Sequence, residues 1–262
     1  FDSTITKFKS REIVNYYERY ARVVPKPLAL NLAMDWWNSS LFDRQSELIR
    51  GLPPSLLDSF GQQIRYLDSS INVRSFVKTF LDAEHPFGQA ELLLSTKGSK
   101  LFRALVEVNP KATSNAIYRI FEAIDDRQIE SISPDARREL VWALEMLCWH
   151  KSYFEKSSWC LLKLACFESE SYSNNSTGQL SQLFRWSNSG TEANFDQRLS
   201  VIDRAVGLNA RNSDLVVIEA LKIAVSTSGG GRTLGAEQQG TKPEMTEWMP
   251  SQWQQVYDYW ER

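Results

Sequence analysis

Residues 235–242 are the part of the chain that most resembles a site for phosphate chemistry. Their letters, GAEQQGTK, approach the phosphate-binding loop G-x-x-x-x-G-K-[ST], in which backbone N–H groups and a lysine hold a nucleotide. Here the last two positions are inverted, with Thr241 before Lys242, and Pro243 stands where the helix should start. A helix N-terminus aimed at the phosphate is essential to such a site. We therefore expect no nucleotide to bind here.

Asp125 and Asp126 resemble the start of the aspartate-rich metal motif of helical prenyl-transfer enzymes. That motif needs a third acid where this chain has Ile129, and Glu130 comes one position too late. Aspartate side chains also accept backbone N–H bonds at helix starts. Helix capping or solvation in a loop is therefore the role that we predict for this pair.

Cys148 and His150 are close enough along the chain to meet as a thiol and a base. No third residue that would orient the imidazole is evident, and Cys148 falls on the apolar face of its helix, so we predict a buried structural cysteine. The chain has 2 histidines and no C-x-x-C pair, and no zinc site is predicted. Its 3 cysteines lie inside apolar stretches, which fits a reducing cytoplasm.

The charges of the chain nearly cancel, with 30 Lys and Arg against 32 Asp and Glu. Such a balance gives no general attraction for nucleic acid or for an anionic membrane, and no stretch is apolar enough to predict a membrane span. One segment is locally basic, and its cations are Lys97, Lys100, Arg103, Lys111 and Arg119. We interpret it as a solvated helix face.

Helical periodicity is the dominant pattern of the sequence. In residues 138–149 the apolar side chains recur at i, i+4, i+7 and i+8, which places them on one helix face. These residues are Leu140, Leu144, Leu147 and Cys148. Ser133 and Pro134 supply an N-cap and a first helical residue for the same helix.

Similar patterns, separated by short connections, predict helices along most of the chain. They cover residues 10–20, 27–37, 54–67, 73–81, 89–94, 99–108, 110–124, 135–149, 153–168, 194–206, 213–225 and 250–260. Consecutive helices with tight loops predict an all-α fold of stacked antiparallel helical hairpins, an α-solenoid, although no fixed-period repeat is visible.

Two segments interrupt this helical pattern. Residues 168–179 form a polar stretch that we predict to be a loop, and residues 226–249 hold five of the chain's 12 glycines. Structureless loops of more than about 15 residues are usually functional or disordered. We expect segment 226–249 to be either a flexible connection or a loop that contacts a partner.

Four segments together resemble a known family. They are YERYARVVPKPLALNLAMDWW at 17–37, KGSKLFRALVEVNPKAT at 97–113, the long segment 144–203, and GGRTLGAEQQG at 230–240 with the W-x-P and YDYW that follow it. In order and spacing they resemble the helical region downstream of the NTPase module in large bacterial STAND proteins, which are signal-transducing ATPases, many of them antiviral. The resemblance covers most of the chain from Tyr17 onward.

Proteins of that family carry an N-terminal effector, an ATPase that uses ATP and Mg, a winged-helix element and a C-terminal helical sensor. The resemblance implies that residues 1–40 are the junction after the winged helix and that residues 41–262 are a TPR- or HEAT-like, right-handed array. It further implies that the array senses a phage protein such as the terminase or portal, which drives self-association and effector activation in the cytoplasm. The chain starts at Phe1 and holds no Walker motif, so we expect a non-catalytic piece of a longer protein, without a cofactor of its own.

The resemblance also points to residues for partner binding. Asn174, Asn175, Thr191 and Glu192 match its motif positions, and Arg232 lies in the glycine-rich segment. A structural role is the alternative, because Asn and Thr commonly cap helices and shape turns, and Arg232 could hold helix carbonyls instead of a partner's acid. Three other functions stay open. One is a structural coupler between the ATPase and a more distal sensor, and another is a generic protein-binding helical-repeat module. The third is an all-α enzyme, which no residue constellation supports.

Overall fold

The computed structural model of the protein describes residues 2–17, 20–208, 210–227, 230–232 and 245–262. The chain is 65% helical, so the prediction of a helical fold is confirmed. The first seven helices are α1 (Asp2–Lys9), α2 (Lys26–Ser39), α3 (Phe42–Arg50), α4 (Leu57–Ile64), α5 (Ile71–Phe80), α6 (Ala90–Leu93) and α7 (Thr96–Val106). The later ones are α8 (Pro110–Ala123), α9 (Asp126–Glu130), α10 (Pro134–Leu147), α11 (Phe154–Cys166), α12 (Ser176–Gln182), α13 (Phe195–Val206), α14 (Ser213–Ala224) and α15 (Trp253–Glu261).

Side-chain caps fix where several of these helices begin. Ser70, Ser95 and Asn109 each accept a hydrogen bond from the backbone N–H three residues later, at the starts of α5, α7 and α8. Ser133 caps α10 in the same way, with Pro134 as the first helical residue, as the sequence predicts. Each cap satisfies an N–H group that a helix start leaves without a partner, and typically contributes about 1 kcal/mol.

The helix predicted over residues 10–20 is wrong. Two antiparallel strands, β1 (Val14–Tyr17) and β2 (Tyr20–Val23), form there, with Val14 paired to Val23 and Tyr17 paired to Tyr20. The segment is rich in valine and tyrosine, whose branched or aromatic side chains favour strands. Residues 1–40, the predicted junction, therefore hold a hairpin between α1 and α2.

Short helices account for most other differences from the sequence prediction. The pattern predicts none of α1, α3, α9 and α12, which have 5–9 residues and are too short to show a clear period. α12 begins inside segment 168–179, which the pattern predicts to be a loop. The predicted helix 54–67 is α4 flanked by 3-10 turns at Pro54–Leu56 and Arg65–Leu67. The other predicted helices end within about three residues of the observed ones.

The helices pack as two adjoining rows. In one row α4, α7, α10, α12 and α14 contact each other in succession, and in the other α2, α5, α8, α11 and α13 do so. Contacts of α7 with α8, of α10 with α11 and of α13 with α14 join the rows. α15 packs on α13, where the rings of Phe195 and Tyr259 stack with their centres 4.0 Å apart.

The hydrophobic core between the rows contains the residues that the sequence predicts for it. Leu140, Leu144, Leu147 and Cys148, in α10 and at its end, are fully buried. α11 contacts α8, α10, α12, α13 and α14, which explains why its apolar residues extend so far around the helix. No helix in the described part of the chain is long and apolar enough to cross a bilayer.

Replacing Leu140 by alanine tests whether the row contact of α10 stabilises the fold. Leu140 is 0% exposed, so we expect Leu140→Ala to lower the free energy of unfolding by about 2–5 kcal/mol, the usual cost of emptying a packed leucine site. Urea unfolding followed by circular dichroism measures it. The matched control is Leu215→Ala in α14, where the side chain is 62% exposed and a change of only about 0.5 kcal/mol is expected. Equal losses in both variants would contradict this packing.

Candidate functional site

Arg232 anchors the glycine-rich segment to the helices. Its side chain is buried and makes three hydrogen bonds: Nη2 donates to the carbonyl oxygen of Glu145 at 2.9 Å, Nη1 donates to that of Gly190 at 2.9 Å, and Nε donates to Oε1 of Gln179 at 3.2 Å. Burial lowers the pKa of this guanidinium. One side chain thus joins α10, α12 and the loop after α12.

Both described ends of the glycine-rich segment are tied to that same loop. The backbone N–H of Arg232 donates to the carbonyl oxygen of Asn188, and the N–H of Trp248 donates to that of Thr191, each at 2.9 Å. Oε1 of Glu247 accepts bonds from the N–H and the hydroxyl of Ser189, at 2.6 and 2.9 Å. We call residues 188–193, 230–232 and 245–249 together the clasp. Residues 233–244, which include the whole phosphate-loop-like segment, lie outside the described residues.

Gly190 has a specific backbone role in the clasp. Its φ is +62°, a left-handed conformation that glycine adopts without steric cost. A Cβ at this position would lie 3.4 Å from the Trp149 ring and 3.5 Å from the Arg232 side chain. The left-handed turn thereby brings the Gly190 carbonyl to the buried guanidinium.

A second buried arginine, Arg198 of α13, holds the other side of the clasp. Its Nε donates to the carbonyl oxygen of Ala193 at 2.9 Å, Nη1 donates to that of Arg185 at 2.7 Å, and Nη2 lies 3.5 Å from that of Trp248. Burial lowers the pKa of Arg198 to about 10. The sequence pattern does not indicate that Arg198 is buried, because an arginine in an amphipathic helix is usually solvated.

Thr191 and Glu192, two of the predicted partner-binding residues, lie within the clasp. Thr191 is fully buried, and its hydroxyl donates to the carbonyl oxygen of Cys148 at 2.7 Å and accepts from the N–H of Ala193 at 3.1 Å. Glu192 is partly exposed, and its carboxylate accepts from the N–H of Lys151 at 3.2 Å. In this conformation Thr191 and Arg232 hold the loop and do not face solvent, whereas Glu192 reaches the surface.

Asn174 and Asn175, the other two predicted residues, lie at the start of α12. Oδ1 of Asn175 accepts from the N–H of Gly178 at 2.8 Å, and its Nδ2 donates to the carbonyl oxygen of Glu170 at 2.9 Å. Asn175 is therefore an N-cap, the structural alternative that the sequence allows, and Asn174 beside it is exposed. The two sites are linked, because Gln179 of α12 accepts from Arg232.

Two glutamates before α12, Glu168 and Glu170, form a hydrogen-bonded pair of carboxyl groups that no sequence motif indicates. Burial and the hydrogen bond that its carboxyl donates to Glu168 raise the pKa of Glu170, whose Oε1 lies 3.5 Å from Nε of Arg137. Burial alone would raise the pKa of Glu168, but hydrogen bonds from the Glu170 carboxyl and from the backbone N–H groups of Glu170 and Thr177 bring it below its usual value. Of the two carboxyls, Glu170 therefore binds a proton more readily.

The residues considered for catalysis or metal binding have structural contacts. Burial raises the pKa of Cys148 to about 12, so its thiol stays protonated, and the prediction of a buried cysteine is confirmed. Asp125 forms a capping box with Gln128 at the start of α9, as predicted. Within the described ranges no group of three or more His, Cys, Asp or Glu side chains is placed to hold a metal ion.

The basic stretch of the sequence does not form one continuous surface. Lys100 pairs with Asp58 at 2.8 Å and Arg103 with Glu139 at 3.1 Å. Arg119 donates instead to two backbone carbonyl oxygens, those of Leu81 and Gly88. These cations are therefore distributed over separate contacts.

Arg204 of α13 links three neighbouring helices of one row. It reaches over α11 to α8, where Nη2 donates to Oε1 of Glu122 at 2.9 Å and Nη1 donates to the hydroxyl of Tyr118 at 3.2 Å. Its guanidinium lies 3.5 Å from the ring centre of Trp159 on α11. One side chain thus contacts both other helices on the exposed side of the row.

Two lysines lie near the same aromatic rings. Lys156 lies over the Tyr118 ring, with Nζ 5.7 Å from its centre, and Nζ of Lys163 lies 6.0 Å from the Trp159 ring centre. We call this group of side chains the Arg204 cluster. Its members are Tyr118, Glu122, Lys156, Trp159, Lys163 and Arg204.

The variant Arg232→Met tests the clasp. Methionine fills similar space but leaves the buried carbonyl oxygens of Glu145 and Gly190 without their donors, so we expect a loss of about 3 kcal/mol or more in the free energy of unfolding. Amide hydrogen exchange should also become faster at Glu192 and Trp248, whose N–H groups are bonded in the clasp. Arg211→Met is the control, since that side chain is 68% exposed. Unchanged exchange at both amides would contradict the role of Arg232.

The opposite pKa shifts of Glu168 and Glu170 predict opposite pH dependences of stability for two variants. Because the pKa of Glu170 is raised, its ionisation destabilises the fold as the pH rises above the ordinary glutamate value of about 4.3. Glu170→Gln should therefore gain stability relative to the parent chain as the pH rises toward neutrality. Glu168 has a lowered pKa, so its ionisation stabilises the fold as the pH rises toward that ordinary value. Glu168→Gln should therefore fall behind the parent chain in stability at pH values below about 4.3 and stay less stable by a constant amount above it. Urea titrations at several pH values measure both, and parallel trends would contradict the assignment.

Comparison of the chain with protein-family models, with curated proteins and with solved structures gave no match. The contacts of the described residues and the resemblance of the four sequence segments are therefore the basis for a function.

Proposed function

We propose that the chain is the target-sensing helical array of an antiviral STAND ATPase. In this proposal the two rows of helices are an α-solenoid with a right-handed superhelical path. Residues 1–40 join it to the ATPase, and residues 41–262 form the array. The ATP and Mg bind to the ATPase of the parent protein, and the array itself is non-catalytic and cytoplasmic. The ordered series of four resembling segments supports the assignment.

The exposed side of α8, α11 and α13, which the Arg204 side chain bridges, supports the recognition role. Curved arrays of helices offer extended concave surfaces that bind other proteins, and in this proposal the three helices belong to such an array. A stable protein interface buries about 1,600 Å² in total, which requires a broad surface and no titrating residues. The partner in this proposal is a phage protein such as the terminase or the portal, and its binding drives self-association and effector activation. Neither a membrane nor a nucleic acid is part of the proposal.

A structural coupler is the second candidate function, and the clasp favours it. Thr191 and Arg232 match the positions proposed for partner contact but are buried in bonds that join α10, α12 and the ends of the glycine-rich segment. A region built in this way can transmit a change from one helix row to the next. In this second proposal the target binds elsewhere in the parent protein.

A co-expression pull-down with phage terminase and portal proteins distinguishes the two candidates. If the chain is the sensor, the full-length protein should capture one of these proteins, and deletion of this region should abolish capture. If it is a coupler, deletion should leave capture intact and abolish effector activation.

Two exposed residues refine this experiment. Asn174→Ala and Glu192→Ala are surface changes that should leave the fold intact. Reduced capture by these variants supports direct sensing, whereas retained capture with lost activation supports coupling. Retained capture and activation after deletion of the whole region would overturn both candidates.

A further inference from the structure

Glu122 occupies a carboxylate site at the centre of the Arg204 cluster. Its Oε1 accepts from the indole N–H of Trp159 at 2.6 Å and from Nη2 of Arg204 at 2.9 Å. Both donors are fixed, because Trp159 is 5% exposed in α11 and Arg204 also donates to the Tyr118 hydroxyl. An arginine and an indole N–H that converge on one oxygen form a charge-assisted site for a carboxylate.

The cluster holds more positive charge than this one carboxylate balances. Nζ of Lys156 donates to Oδ1 of Asn115 at 2.6 Å, and Nζ of Lys163 donates to the carbonyl oxygen of Phe121 at 2.5 Å. Both acceptors are uncharged, so these bonds leave the two charges uncompensated. Together with Arg204 there are three cations in the cluster as defined, against the single carboxylate of Glu122.

Glu122 and Arg204 are also accessible from outside. Their side chains are 42% and 41% exposed, and an exposed ion pair of this kind contributes only about 0–1 kcal/mol. A carboxylate from another molecule can therefore replace Glu122 without a large cost to the fold. The site is both formed in advance and exchangeable.

We propose that the Arg204 cluster binds an acidic segment of a partner protein. One carboxylate of that segment takes the place of Glu122 between Trp159 and Arg204. Lys156 and Lys163 contact further acids of the segment, and the ring of Tyr118 packs against its chain. This inference rests on the proposed function and specifies the chemistry of the partner surface.

An acidic protein segment fits these residues better than a nucleic acid does. A phosphate backbone carries a charge at every step, and Glu122 would stay beside it as a fixed repulsive charge wherever it was not displaced. The surroundings on α13 are acidic as well, since Asp196 and Asp203 lie there and both pair with Arg262. A chain with spaced acids can avoid these residues, whereas a phosphate chain cannot.

Binding of a fluorescein-labelled peptide of alternating Glu and Ser tests the proposal by anisotropy at low salt. The same peptide with Gln in place of Glu shows whether carboxylates are required, and a short oligothymidylate shows whether any polyanion suffices. We expect saturable binding of the Glu peptide only. Arg204→Gln should weaken that binding about tenfold, the loss expected for one charge-assisted hydrogen bond.

Glu122→Gln provides the decisive variant, because it should tighten binding of the Glu peptide. The glutamine keeps an acceptor for Trp159 but removes the charge that competes with the incoming carboxylate. A residue with only a structural role would leave binding unchanged or weaken it. Arg211→Gln is the matched control: this arginine also pairs with a glutamate, Glu130, at 3.2 Å on the surface, and its replacement should not alter binding. Thermal unfolding of each variant verifies that it is folded.

Three results would overturn the proposal. They are equal binding of the Glu and Gln peptides, binding of oligothymidylate at least as tight as that of the Glu peptide, and an unchanged or weaker affinity in Glu122→Gln. The proposed function is tested separately, by capture of phage proteins. Capture that persists in Arg204→Gln and Glu122→Gln would leave sensing in place and move it to another surface.

Discussion

Buried arginines that bond to backbone carbonyl oxygens are the interaction on which this fold most depends. The last carbonyls of a helix have no partner within it, and they carry the negative end of the helix dipole. Glu145 near the end of α10, Leu164 near the end of α11 and Ile129 in α9 supply carbonyl oxygens that accept from Arg232 or Arg137 at 2.9–3.0 Å. Those of Leu164 and Ile129 also accept a backbone N–H from the residue three positions later. In each case a charge-assisted bond replaces the water that packing has excluded.

These arginines also explain how irregular segments become part of a packed helical structure. A loop that leaves water must find donors for its carbonyls. Arg198 and Arg232 provide them to residues 185–193 and to Trp248, whose ring also packs edge-on against Phe195. The fold therefore combines a core between the rows, held by apolar packing, with a clasp in which buried hydrogen bonds add to the apolar contacts.

The sequence predicted the long helices well, because each has several turns of apolar periodicity and a capping residue before it. It failed at residues 14–23, where valine and tyrosine decide for strands over a weak helical period, and at helices of one or two turns. Asn175 and Thr191 were correctly suspected of local structural roles, since capping and turn bonds act over two or three residues. The roles of Arg198 and of the Arg204 cluster could not be predicted, because the bonded residues are far apart in the sequence. Trp248 is 50 residues from Arg198, and Glu122 is 82 residues from Arg204.

The bond between Arg204 and Glu122 gives the row of helices a mechanical property. It links α13 to α8 across α11, so it resists any motion that moves α13 away from α8. The link is an exposed ion pair, and salt at physiological strength screens charges over about 8 Å. The stiffness of the row is thus sensitive to ionic strength at this point, and a bound anion that takes Glu122's place would cut the link and make the row more compliant.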